Sequence, residues 1–333
     1  MEPLSREEVL ACVEAAVRAP SIHNTQPWLF LPEEDRIEVH ADPSRRLPAV
    51  DPQMRALHLS LGAAVLNLCL AVAARGRRPF LDLLPSPKDG RHVATVTADG
   101  PYTVDDDERE LYEAIPERRT SRRPFLGTPI PPEAKRRLEE AALLQGAELK
   151  FVDAPGRELL LSLARTADER KRGDAAYRAE LRDWTTDDPY REDGVPVEAA
   201  APWSGDDSIP IRDFMPDLER PGPSGRGFEA EPVIAVLSII GGDAPADWLR
   251  AGQALERVLL EATRRGLATG LFTQPLEHPD LRTMLADPTG RTHVQAILRF
   301  GYEAEPTPLT ARRPAAEVIA RERPLPLRPT RLG

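Results

Sequence analysis

The sequence predicts an α+β fold assembled from two similar sheet-and-helix units, with a long irregular segment set into the second. Three observations predict it. Helical and strand periodicities alternate along most of the chain. The helical pattern ending at Arg75-Gly76 aligns without gaps on the one ending at Arg265-Gly266, so that Gly62, Ala64 and Leu70 fall on Gly252, Ala254 and Leu260. Between Trp184 and Pro232 periodicity stops and Pro, Gly and Asp take over, as in a functional lid or a linker. A chain of 333 residues has room for two units with sizeable cores. The expected division is 1–115 and 116–333, with the lid over 184–232.

The elements follow in order. Val9, Leu10, Val13, Ala16 and Val17 recur at helical spacing over 5–18, and Pro20 stops that helix. Ile37, Val39 and Ala41 alternate with polar residues in a strand over Arg36 to Ala41. A helix apolar on most faces runs over 53–75 and Gly76 closes it. A strand near 92–97, a turn at Asp99-Gly100 and a helix whose N-terminus is capped by the acidic run 105–108 complete the first unit. Helices near 131–144 and 156–182 flank a strand at 148–152. The β-branched run Val233 to Ile240 reads as a buried strand, 247–265 as a helix ending at Gly266, and 293–300 as a strand with Val294, Ala296, Leu298 and Phe300 inward. A proline-rich tail follows, with one helical pattern near 314–321.

Composition excludes several classes. The net charge of -10 argues against nucleic acid or an anionic membrane as partner. Four lysines leave arginine as the main cation. Cys12 and Cys69 fall in apolar helical patterns and read as buried thiols. The N-terminus has no basic region leading into an apolar core, and the apolar stretch Leu57 to Ala74 is interrupted by His58, Ser60 and Asn67. A cytoplasmic protein is expected. The six histidines lie on separate elements, with no metal-ligand spacing, nucleophile elbow or phosphate-binding glycine loop.

Two segments could carry chemistry. In Ala19-Pro20-Ser21-Ile22-His23-Asn24-Thr25-Gln26-Pro27-Trp28, two prolines bracket a polar loop. It suits gripping a planar polar ligand, or else it is a capped connection with Trp28 in the core. The stretch Arg118-Arg119-Thr120-Ser121-Arg122-Arg123 crowds four arginines into six residues, and Arg312-Arg313 stands near the C-terminus. Arginine forks suit a phosphate; the other reading is a solvated basic loop.

Pro20-Ser21-x-x-Asn24-x-Gln26-Pro27-Trp28 resembles the signature of the flavin nitroreductases, and Arg118-Arg119-Thr120-x-Arg122 resembles their flavin-binding arginine segment. In ordinary members the arginine segment comes first. The reversed order here is similar to the Acg-type branch, as are Asp193-Gly194-Val195-Pro196, Gly266-Leu267-Ala268-Thr269 and Thr273-Gln274-Pro275-Leu276. The resemblance implies a nitroreductase-like fold in tandem, one polypeptide forming a pseudo-dimer around a single FMN. It implies that Arg118, Arg119, Thr120 and Arg122 bind the flavin, with Arg122 at the edge that becomes negative on reduction, and it places the turn Phe272-Thr273-Gln274 at N5; the candidates for the phosphate are Arg118, Arg312 and Arg313. Ser21, Ile22 and Asn24 would close the site from the first unit, and the pseudo-equivalent second site should be empty.

Because the flavin carries the hydride chemistry, no catalytic side chain is expected. The implied activity is electron transfer from NAD(P)H through FMN to a nitroaromatic, quinone or other small acceptor. An FMN storage protein with a closed lid is the alternative, and a biosynthetic oxidase a third reading. A pseudo-dimer has little need of a partner subunit, so a monomer is expected, with a homodimer as the other arrangement.

Overall fold

The computed structural model describes residues 3–86, 89–200, 209–215 and 227–324. Part of the expected lid, with Trp203, Gly222 and Gly225, lies outside them.

The first half opens with α1 (Arg6–Ala16), whose N-cap is a Ser5/Glu8 capping box. Strands β1 (Trp28–Glu33) and β2 (Arg36–Ala41) form a hairpin. Then come α2 (Arg55–Ala73), β3 (Arg77–Leu83) and β4 (His92–Pro101). Helix α2 is buried along nearly its whole length, so its continuous apolar sequence is spent inside the protein. Next is α3 (Asp106–Ala114), with the Asp105 side chain accepting from the Glu108 N–H as its cap.

The second half repeats the plan. Helix α4 (Pro132–Leu143) precedes β5 (Ala147–Phe151). After it come α5 (Ala154–Arg172), α6 (Ala175–Asp183), and the two-residue strands β6 (Thr185–Thr186) and β7 (Val195–Pro196). The main sheet resumes with β8 (Val233–Ile240), α7 (Pro245–Arg264), β9 (Ala268–Leu271), α8 (Pro279–Thr283) and β10 (Thr292–Gly301); α9 (Ala315–Val318) lies in the tail.

Each half has a four-stranded antiparallel sheet, ordered β1-β2-β4-β3 in one and β5-β8-β10-β9 in the other. Strand for strand in chain order these are the same topology. The difference is one connection. The first two strands of the first sheet are joined at Glu34-Asp35, whereas β5 and β8 are separated by residues 152–232. The irregular segment, with α5 and α6, is therefore an insertion into a hairpin. Helices α2 and α7 pack together between the halves, and the tail crosses back: Ile319 bridges Phe30 and the Ala320 N–H donates to the Phe30 carbonyl at 2.7 Å. That contact covers the free edge of β1.

Several sequence expectations need correction. Strands β1, β3 and β9 had no reading. Trp28, Phe30 and Leu31 are all buried, so β1 lacks clean alternation, and β3 carries Pro79 as an edge strand can. Asp99-Gly100 is no turn; Gly100, at φ +49°, lies in β4 at a bulge facing Arg77 and Arg78. The helix expected over 156–182 is two, broken at Gly173-Asp174, where the Asp174 side chain caps α6. In β10 both faces are buried, Gln295 and Arg299 included.

Candidate functional site

The Pro20–Trp28 loop owes its shape to strained backbone. His23, Asn24 and Gln26 take φ of +49°, +53° and +50°, a region L-residues occupy at a cost of about 1–3 kcal/mol each unless held. The surroundings hold them. Ser21 Oγ accepts from the Gln26 N–H at 3.0 Å and Ser60 Oγ from the Ile22 N–H at 3.3 Å. The Asn24 amide donates to the carbonyls of Gly194 (2.9 Å) and Ala311 (3.2 Å), and that of Gln26 to the Glu192 carbonyl at 2.7 Å. The Arg313 N–H in turn donates to Gln26 Oε1 at 2.8 Å. Arg45 completes the tie, donating to Asp193 Oδ2 at 2.7 Å and the Thr25 carbonyl at 2.9 Å. Asn24 and Gln26 thus fasten the inserted segment and the C-terminal tail to the first half. Trp28 is fully buried, as expected of a core residue closing the loop.

The arginine segment runs beside β9. The Ser121 N–H donates to the Thr269 carbonyl at 2.7 Å, and a Cβ on Gly270 would stand 2.9 Å from the Ser121 carbonyl oxygen. That close approach requires glycine. Arg299, fully buried, locks the far end: it donates to Glu229 Oε1 (2.9 Å) and the Arg123 carbonyl (2.6 Å), with its guanidinium 3.9 Å from the Phe125 ring centroid.

These pieces converge on one cavity. Its wall takes Pro20 to Asn24, Arg55 and Ser60 from the first half, Arg118 to Arg122 and Gly270 to Gln274 from the second, and Arg312 from the tail. Every sequence candidate lines it except Arg313. The Arg313 backbone meets Gln26 and its side chain lies 4.0 Å from Glu317, so the tail turns it away.

Charge is unevenly balanced around the cavity. Arg118 is buried, Arg312 is half-buried, and Arg18, an exposed residue, joins them in the wall. Burial, then the neighbouring Arg118 and Arg18, pushes Arg312 down to about 9. The carboxylate facing this group is Glu256 of α7, whose Oε1 lies 3.6 Å from Arg118 Nε, beyond hydrogen-bond reach. Burial pushes Glu256 up to about 7 against the pull of Arg118. Arg118 Nε and Nη1 and Arg312 Nε are buried with no hydrogen-bond partner. At the other end Arg122 is pushed down to about 10 by burial and Arg212, its guanidinium 4.7 Å from the Phe214 ring centroid. His23 packs edge-on to Phe214 at 5.3 Å; burial, Arg212 and Arg122 hold it well below its ordinary range, so it is neutral.

The inserted segment supplies Ile211, Arg212 and Phe214 to this wall. Arg212 donates to the Tyr177 hydroxyl at 2.6 Å and Thr273 Oγ1 at 3.1 Å, and pairs with Glu277. The Gln274 amide donates to the Pro210 carbonyl at 3.1 Å. Sequence reasoning missed Arg18, Arg55, Arg212 and Glu256. A legible signal existed for Glu256, a carboxylate on the buried face of an apolar helix; Arg212 lay in a stretch with no period.

The histidine reading also changes. Pairing of β2 with β4 sets His40 opposite His92, with rings stacked 4.7 Å apart and Glu38 Oε2 2.9 Å from His40 Nε2. Arg323 occupies the other Glu38 oxygen, and none of these residues lines the cavity.

No protein-family model matches the chain. It is 34% identical over 321 residues to a Mycobacterium tuberculosis H37Rv protein named "Putative NAD(P)H nitroreductase Rv3131", covering 94% of this chain and 91% of that one. To "Putative NAD(P)H nitroreductase acg" of the same organism it is 30% identical, covering 95% and 96%. Among solved structures it is similar to the NADPH:FMN oxidoreductase of Vibrio harveyi complexed with NAD+, at 17% identity and a TM-score of 0.39, covering 66% of this chain and 80% of that one. With near-full-length relatives at this identity, the chain belongs to the Acg-type branch of the NAD(P)H nitroreductase family.

Proposed function

We propose that this protein binds one FMN per chain and uses it to pass electrons from NAD(P)H to a small aromatic or quinone-like acceptor. The observation that carries this reading is the convergence of the arginine segment and the strained Pro20–Trp28 loop, from opposite halves, on one cavity. The relatives' NAD(P)H nitroreductase names support the same activity.

The residues present fit FMN. Three buried guanidinium N–H groups, on Arg118 and Arg312, have no partner, and a phosphate supplies several acceptor oxygens at once. Arg118 and Arg312 would hold that phosphate with Arg18, while Arg119 and Thr120 line the approach. When bound, FMN supplies the hydride chemistry. Arg122 would stabilise the ring edge that gains negative charge on reduction. The Phe272 N–H is committed to the Ile297 carbonyl at 2.9 Å, so the donor to the flavin N5 would be Thr273 or Gln274. Ser21, Ile22 and Asn24 would close the ring face from the first half. The matched sheet topologies support reading residues 1–115 and 116–333 as a tandem pseudo-dimer, with 184–232 as its lid.

A second reading, FMN storage, draws on the lid. Ile211, Arg212 and Phe214 stand in the cavity wall and Arg212 is tied down by three partners, which would keep a nicotinamide out. An absorption spectrum of the purified protein, taken before and after anaerobic addition of NADPH or NADH, with flavin quantified after denaturation, separates the readings. Bleaching of one FMN per chain supports the reductase; bound FMN that neither donor bleaches supports storage; no flavin overturns both.

A further inference from the structure

Glu256 is fully buried, and apart from the nearby Asn67 amide, which acts on it as a hydrogen-bond donor, neither of its carboxylate oxygens has a hydrogen-bond partner. It sits one turn after Gly252, on the face of α7 turned towards α2. The groups around it come from four elements: Arg118 from the arginine segment, Arg312 from the tail, Arg18 after α1, which acts on Arg312, and the uncharged amide of Asn67 from α2. Of the two cations closest to it, Arg118 is buried and Arg312 is half-buried with its Nε enclosed, while Arg18 is exposed and screened by solvent. One carboxylate therefore faces two guanidiniums, at 3.6 Å from Arg118.

This inference rests on the FMN reading. A phosphate monoester dianion entering that cradle would put three negative charges against the two positive ones of Arg118 and Arg312. Water cannot reach Glu256 to screen the excess, and phosphate is the better acceptor for Arg118's unpaired N–H groups. We propose that Glu256 takes up a proton as the phosphate of FMN enters the Arg118–Arg312 cradle, so that loading this site with flavin consumes a proton. Burial has already brought Glu256 close to its midpoint near neutrality, and the repulsion of the added dianion carries it to the protonated side across the assay range. The carboxyl then stops competing for Arg118. In the flavin-free protein the same carboxylate keeps Arg118 and Arg312 from facing each other unbalanced.

The test is calorimetric titration of flavin-free protein with FMN at pH 8.0, in Tris and in HEPES. The buffer dependence of the heat counts protons exchanged. Near one proton taken up is expected, and the FMN Kd should rise about tenfold per pH unit from pH 8 to 9. Riboflavin, which lacks the phosphate, should bind with no buffer dependence, and Glu256→Gln should bind FMN with none. Absence of proton uptake in the wild type overturns the proposal whatever the variant does. So does uptake that persists in Glu256→Gln, or equal uptake with riboflavin. Failure to bind any flavin overturns the FMN reading instead.

Discussion

Gly62 and Gly252 meet where α2 crosses α7: a Cβ on Gly62 would stand 3.0 Å from the Gly252 Cα and 2.0 Å from the Leu249 carbonyl oxygen. The contact is reciprocal. A Cβ on Gly252 would stand 2.1 Å from the Leu59 carbonyl oxygen, and the alignment that places Gly62 on Gly252 also places Leu59 on Leu249. Such a contact, in which each side uses the same residues, is what a two-fold interface produces. Here it lies within one polypeptide.

Gly62→Val should force the two helices apart, since the side chain would strike backbone rather than a movable side chain. Overpacking of this kind costs about 1–3 kcal/mol and sometimes more. Urea denaturation should show a lower midpoint, and less FMN should copurify, because Ser60 and Arg122 reach the cavity from opposite halves. Unchanged stability would mean the helices can slide, and the reciprocal contact would then not fix the cavity.

Arg312→Ala should weaken FMN binding by about ten- to hundredfold, from the loss of a charge-assisted contact of about 1.5–3 kcal/mol. Arg118→Ala should act in the same direction. Arg313→Ala should leave the Kd near that of the wild type, because its side chain points away from the cavity and its backbone N–H, which holds Gln26, is retained. Fluorescence titration of FMN distinguishes these; a large effect at Arg313 alone would move the phosphate site towards Glu317.

The flavin-free protein should lose stability as pH rises from 5 to 8. Glu256 and Asp168 are both pushed up to about 7 by burial, which outweighs Arg118 in one case and Arg212 in the other. A carboxyl raised on folding binds more protons in the native state. Its contribution is complete below the ordinary carboxyl range and is lost as pH climbs through about 7. Thermal melts across this range should fall less steeply for Glu256→Gln combined with Asp168→Asn. An equal slope in the double variant would assign the pH dependence to other groups.

Much of this architecture was legible because its signals are periodic. The buried helices α2 and α7, the strands β2 and β8, and the Asp105 cap follow from spacing and propensity. The likeness of the two halves was visible in helices, yet the matching of sheets was not, because β1, β3 and β9 are short or lack alternation. At the site the order of motifs located most of the wall. It could not show that Asn24 and Gln26 tie chain segments together, or that Arg313 stays out of the cavity wall, since both depend on where the tail crosses the first sheet. Arg212 is the clearest loss: its partners Tyr177, Thr273 and Glu277 come from three separate stretches, and no local pattern links them.

Phe214 gives the most direct test of the inserted segment as a gate. Its ring lines the cavity, packs against His23 and carries the Arg122 guanidinium. Arg212 is a poor residue to remove, because Glu277 would be left as an unpaired buried charge at about 3–5 kcal/mol. Phe214→Ala keeps that ion pair and opens a space instead. A void left by a phenylalanine costs about 3–5 kcal/mol when the site cannot collapse, and here the loss falls on the segment 209–215 rather than on the two sheets. The segment should open more often while the arginine cradle stays intact. Reduction of bound flavin by dithionite, followed by stopped-flow absorbance, should then be faster than in the wild type at an unchanged FMN content. An unchanged rate would show that Phe214 does not control access. Loss of FMN would show that it belongs to the binding wall, and the gate would have to be sought elsewhere in the insertion.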